Sequence, residues 1–144
     1  MKSTKILSSI IAICLVLTVT LCSCGFNKTA DTDEGNTVVY TEDMTVGQGS
    51  KTFICKVVND EQTFTFTVNT DAETVGDAML ENGLITGEEG QYGLYIKTVN
   101  GITADYDIDG YYWAFYINGE YATTGIDGAI IEEGAEYSLV RSKG

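Results

Sequence analysis

Histidine is absent from the chain and basic residues are few: 8 Lys plus Arg stand against 21 Asp plus Glu, a net charge of −13. Each shortage removes a class of function. Without imidazole there is no side chain that titrates unperturbed near neutral pH, so His-based triads and zinc sites needing a His ligand are excluded. A surface this acidic repels nucleic-acid phosphate, so no duplex or single-strand binder is expected. Long hydrophobic runs are scarce as well. The run Ile10–Leu21 is broken only by Thr18 and Thr20, yet it falls short of the roughly 20 residues that span a bilayer. What the chain does hold is apolar and aromatic: 44 % hydrophobic residues, with 9 Tyr, 5 Phe and 1 Trp in 144. A packed core is therefore expected, and the length allows one ordinary domain.

Lys2 and Lys5 precede the run Ile10–Leu21, the pattern of a secretory signal. The run ends in Leu21-Cys22-Ser23-Cys24-Gly25. A Leu three residues before a cysteine, with a small residue just before it, resembles the bacterial lipobox. The resemblance implies cleavage after Ser23 and acylation of Cys24; the other reading is a plain secretory signal with incidental cysteines. Residues 1–23 are thus expected as a lipoprotein signal peptide. Residues 24–36, polar and acidic without periodicity, are expected as the lipidated Cys and a flexible tether. Residues 37–144 are expected as the folded domain, extracytoplasmic and lipid-anchored to the bacterial cell membrane. Cys14 and Cys22 leave with the signal and Cys24 is acylated, so Cys55 is the one thiol left. No intramolecular disulfide can form, and Cys55, inside the strand-like run Phe53–Val58, reads as a small buried hydrophobe.

Within the domain the dominant period is two. Lys51–Val58 and Gln62–Val68 read as strands, the second placing Phe64, Phe66 and Val68 on one face and Thr63, Thr65 and Thr67 on the other. Asn59-Asp60-Glu61 reads as the hairpin turn between them. One helix is expected from Thr74 to Asn82. Thr74 and Asp77 form a capping-box-like start, Val75, Ala78, Met79 and Asn82 recur at helical spacing, and Gly83 supplies the stop. Further strands are expected at Tyr92–Val99 and Ile102–Ala104 around Asn100-Gly101, and at Tyr111–Ile117 and Glu120–Ala122 around Asn118-Gly119. Asn-Gly between alternating residues is a strong hairpin signal, because both turn positions require positive φ. Ala129–Ile131 and Ala135–Arg141 close the chain around Glu132-Glu133-Gly134. The expected class is α+β: mostly antiparallel sheet with one short helix.

The ordered set of helix Thr74–Asn82, Gly93–Gly101, Tyr112–Gly119, Gly125-Ile126-Asp127 and Gly134…Tyr137–Val140 resembles the C-terminal β domain of the vitamin B12 carriers transcobalamin and intrinsic factor. A bacterial family of lipoprotein domains of unknown function shares the pattern, which spans roughly residues 60–143. The resemblance implies that the tryptophan-bearing hairpin and the segment after it face a ligand, with cobalamin or another corrinoid as that ligand. It places Phe115 two residues after Trp113 and Ala122 three residues before Gly125, with Tyr121 beside it. Ala122 departs from the pattern, where a larger apolar side chain is usual, and the helical domain of the carriers is missing altogether. Half of such a sandwich should bind weakly. Ordinary core packing of Trp113, Phe115 and Ile117 is the other reading of these residues.

A second constellation is Asp105-Tyr106-Asp107-Ile108-Asp109-Gly110. Three carboxylates at alternate positions before a glycine reproduce the opening of an EF-hand loop, which makes Asp105, Asp107 and Asp109 candidate calcium ligands. The twelfth position is Tyr116 rather than Glu, so a solvated acidic loop is the competing reading. Glu88-Glu89 and Glu132-Glu133 read as solvated turns. Paired carboxylates could serve glycoside hydrolysis, but no nucleophile has an evident base and a small domain leaves little room for a cleft. The expected function is a non-catalytic, membrane-anchored binding module needing no cofactor. A corrinoid is its leading ligand, with a cell-envelope protein-interaction or structural role as the alternative and carbohydrate binding through the tyrosines as a third.

Overall fold

The computed structural model describes residues 38–60 and 62–144. The expected signal 1–23, Cys24, the tether 24–36 and the turn residue Glu61 lie outside the described residues. The elements in chain order are β1 (Met44–Gly47), β2 (Lys51–Asn59), β3 (Gln62–Thr70), α1 (Val75–Glu81), β4 (Ile85–Gly90), β5 (Gly93–Val99), β6 (Ile102–Thr103), α2 (Tyr106–Asp109), β7 (Tyr111–Ile117), β8 (Glu120–Tyr121) and β9 (Glu136–Lys143). Six strands form one sheet in the order β1-β3-β2-β9-β7-β8, and β4-β5-β6 form a second. The α+β class stands, although the larger sheet is mixed: β1 runs parallel to β3, and β9 runs parallel to β2.

The period-two pattern decides what faces the core. On β2, Phe53, Cys55 and Val57 are buried; on β3, Phe66 and Val68; on β9, Tyr137 and Leu139. The residues between them are partly exposed. Against this face lie the buried Val75, Ala78 and Met79 of α1 and the buried Ile85, Ile96 and Val99 of the smaller sheet. Cys55, fully enclosed, has its thiol pushed up to about 12 by burial, the behaviour of a hydrophobe rather than a nucleophile.

Helix α1 starts as its sequence directs. The backbone N–H of Asp77 donates to Thr74 Oγ1 at 3.1 Å, and Gly83 follows Asn82 with φ +64°. Both Asn-Gly pairs adopt positive φ at the β5–β6 and β7–β8 turns. Three expectations change. Strands β1 and β4 escape the sequence reading; Glu88 and Glu89 sit in β4, opposite Tyr95 and Leu94, rather than in a turn. Ala129–Ile131 forms no strand, only an isolated bridge between Ile130 and Thr74. The acidic segment 105–110 is neither open loop nor calcium-type loop but the single turn α2, with Asp105 as its N-cap and Gly110 as a left-handed C-cap. No helix among the described residues is long and apolar enough to cross a membrane.

Candidate functional site

The strand β7 carries Trp113 and Phe115 on the face turned toward the smaller sheet. Phe115 stacks on Tyr137 of the neighbouring β9 at 6.1 Å and 11°, which fixes its ring. Both residues keep a sliver of surface, 7 % for Trp113 and 8 % for Phe115. That sliver opens on a cavity of about 180 Å³. One wall is Leu94, Tyr95 and Ile96 of β5; the floor is Trp113 and Phe115; the far wall is Tyr121, Ala122 and the segment Thr124–Ile126. All four residues that the sequence pattern points to as ligand contacts, Trp113, Phe115, Tyr121 and Ala122, therefore meet at one cavity. Tyr121 stands at its mouth, 60 % exposed and packed edge-on against Tyr116 at 5.4 Å.

The walls are held from behind. The Val75 and Gly76 N–H groups at the start of α1 donate to Ala129 O and Ile126 O, each at 2.9 Å, and Ala122 N–H donates to Phe115 O at 2.9 Å. Gly76 has no room for a side chain: a Cβ there would stand 2.9 Å from Asp127 Cα. Tyr137 reaches under the next segment, its hydroxyl donating to Ile130 O at 3.1 Å while accepting from Glu132 N–H at 3.0 Å. A cavity built this way is preorganised, with aromatic faces for a flat apolar surface. One polar group in its lining is unmatched: the buried indole N–H of Trp113 has no acceptor among the described residues. The wall residues Leu94, Tyr95, Ile96 and Thr124–Ile126 carry no mark in the sequence beyond strand alternation and a glycine.

The three aspartates are employed elsewhere. Asp105 Oδ2 takes Lys97 Nζ at 2.7 Å and Asp105 Oδ1 accepts from Asp107 N–H at 3.1 Å. The Lys97 bond, more than any other contact, holds the Asp105 carboxyl below the usual carboxylate range and raises the lysine in turn. Asp109 Oδ1 accepts from the Tyr111 and Asp105 N–H groups at 2.9 and 3.1 Å, and Oδ2 meets Arg141 Nη2 at 3.1 Å. The Tyr111 bond is the chief cause of its lowered pKa. Arg141 also lies over the Tyr111 ring, 3.8 Å from its centre. Asp107 is exposed. Among the described residues no group of three His, Cys, Asp or Glu side chains could hold a metal ion.

A family model described as "Domain of unknown function (DUF4430)" matches residues 72–136, a span that includes every residue lining the cavity. A solved protein from Ruminococcus gnavus, named only as a candidate metal-binding protein, is 31 % identical, with a TM-score of 0.62 over 66 % of this chain and 99 % of that one. Haptocorrin in complex with Cbi is 23 % identical at a TM-score of 0.53 over 67 % of this chain, which spans 26 % of haptocorrin's length. That second likeness shows the fold: the transcobalamin-type β domain that the ordered motifs resemble. No curated protein matches the chain. With the family model across the cavity walls and a 31 % identical relative matched almost end to end, the chain belongs to the DUF4430 family of domains of unknown function.

Proposed function

We propose that the chain is a non-catalytic, ligand-binding lipoprotein of the bacterial cell exterior, anchored through acylated Cys24, whose cavity takes part of a corrinoid. The observation that carries this reading is the convergence of Trp113, Phe115, Tyr121 and Ala122 on one cavity in a fold similar to that of haptocorrin in complex with Cbi. A volume of about 180 Å³ is below the roughly 300–1,000 Å³ of pockets that enclose a drug-sized ligand. The cavity accepts an edge of a macrocycle and leaves the rest outside, so affinity should be modest.

Titrating the full chain in detergent with dicyanocobinamide and with cyanocobalamin tests the reading. Expected is a saturable change in the visible spectrum, weakened by Tyr121→Ala without loss of melting temperature, since Tyr121 is mostly exposed. No spectral or calorimetric change up to about 1 mM ligand, the limit of roughly −4 kcal/mol, rejects it. The alternative, a cell-envelope protein-interaction domain, draws support from Tyr92 and Tyr121, 89 % and 60 % exposed. It predicts a co-purifying protein that Tyr92→Ala and Tyr121→Ala release.

A further inference from the structure

Beside the cavity a carboxylate is laid against two glycines. A Cβ at Gly93 would lie 2.6 and 2.7 Å from the two oxygens of Asp127, and a Cβ at Gly125 would lie 2.5 Å from its Oδ1. Any side chain at either position would collide with the carboxylate, and Gly93 also has φ +105°, a conformation that L side chains rarely adopt. Gly125 itself lines the cavity, and Gly93 immediately precedes the lining residue Leu94. The two glycines therefore leave room for the Asp127 carboxylate next to the lining residues Leu94 and Gly125, and Gly76 N–H ties the adjacent Ile126 O from behind at 2.9 Å.

Among the described residues no N–H, hydroxyl or cation is hydrogen-bonded or paired to this carboxylate, unlike Asp71, Asp105 and Asp109, each of which has such partners. The residue is exposed. No Lys or Arg lines the cavity. The wall thus offers aromatic faces and the unmatched Trp113 N–H, with the Asp127 carboxylate standing beside it and no cation in the lining.

Building on the corrinoid reading, we propose that Asp127 is the polar anchor of the site: its carboxylate accepts hydrogen bonds from the N–H groups of a peripheral primary amide of the bound ring. The site consequently selects uncharged or cationic, amide-bearing ligands and rejects those presenting a carboxylate at that position. A hydrogen bond to a charged acceptor is stronger than a neutral one, and a like charge in its place is repelled.

The test measures binding of dicyanocobinamide, and of its separated mono-acid isomers (each with one amide hydrolysed), to the full chain and to Asp127→Asn. The unaltered protein should bind the parent about tenfold more tightly than Asp127→Asn does. One mono-acid isomer should bind the unaltered protein about tenfold more weakly than the parent, and Asp127→Asn should lose that discrimination. Binding to both proteins with equal affinity for every isomer overturns the role of Asp127 and leaves the corrinoid reading standing. An equal loss for parent and all isomers also overturns it, since that is what a merely positional role would give. No binding by the unaltered protein overturns both readings at once.

Discussion

At the scale of single residues, buried polar groups do the specifying. Asn100 is 1 % exposed. It sits at φ +48° in the β5–β6 turn and makes a reciprocal pair with the incoming chain: Tyr40 N–H donates to its Oδ1 at 2.7 Å, and its Nδ2 donates to Tyr40 O at 2.9 Å. Asn100→Ala strands both Tyr40 groups and puts alanine in a left-handed conformation. The expected loss is about 2–4 kcal/mol, measured by chemical denaturation. Tyr137→Phe should cost about 1–2 kcal/mol by orphaning the Glu132 N–H. Asp109 supplies a pH signature. Its folded pKa is depressed, chiefly by the Tyr111 N–H and with help from Arg141. Its contribution is therefore present above the unfolded value near 3.9 and disappears as pH falls through the lower folded value. The melting-temperature gap between the protein and Asp109→Asn should be widest at neutral pH and close below about pH 4. A gap independent of pH would refute the assignment.

Among elements, the sequence announces those whose pattern is local. Thr74, Asp77 and Gly83 mark α1 because caps are made by neighbours in sequence. The hairpins β2–β3 and β7–β8 declare themselves by alternation and by Asn118-Gly119. Strand β4 is hidden because Thr86-Gly87-Glu88-Glu89-Gly90 has the composition of a turn and pairs through its backbone, with an irregularity between Thr86 and Gly87. Strand β1, four residues long, is held by partners 22 positions away, Met44 against Phe66. Short sequences cannot disclose such pairing. The acidic stretch misleads for a related reason: carboxylates at alternate positions suit calcium ligation and also suit a capped turn, and distant Lys97 and Arg141 select the turn. The cavity was half legible. Its floor and mouth follow from the motifs on one hairpin, whereas its walls come from β5 and the segment 124–126, which only the folded topology brings near.

For the whole molecule, the proposed anchor makes a direct prediction. The mature protein should carry an acyl mass on Cys24 that Cys24→Ala abolishes, as read by mass spectrometry; a mature chain without that mass would refute lipidation. The sheet order adds a constraint on how the molecule comes into being. Strand β9, eight residues ending at Lys143, is not an edge but lies between β2 and β7 and pairs with both. The middle of the larger sheet is thus supplied by a stretch far along the chain from β2. Until that stretch arrives, β1–β3 and β7–β8 are two separate ribbons with open edges, and Phe115 lacks the Tyr137 ring it stacks on. Closure of the larger sheet therefore waits on β9, whose docking joins the two ribbons in a single step.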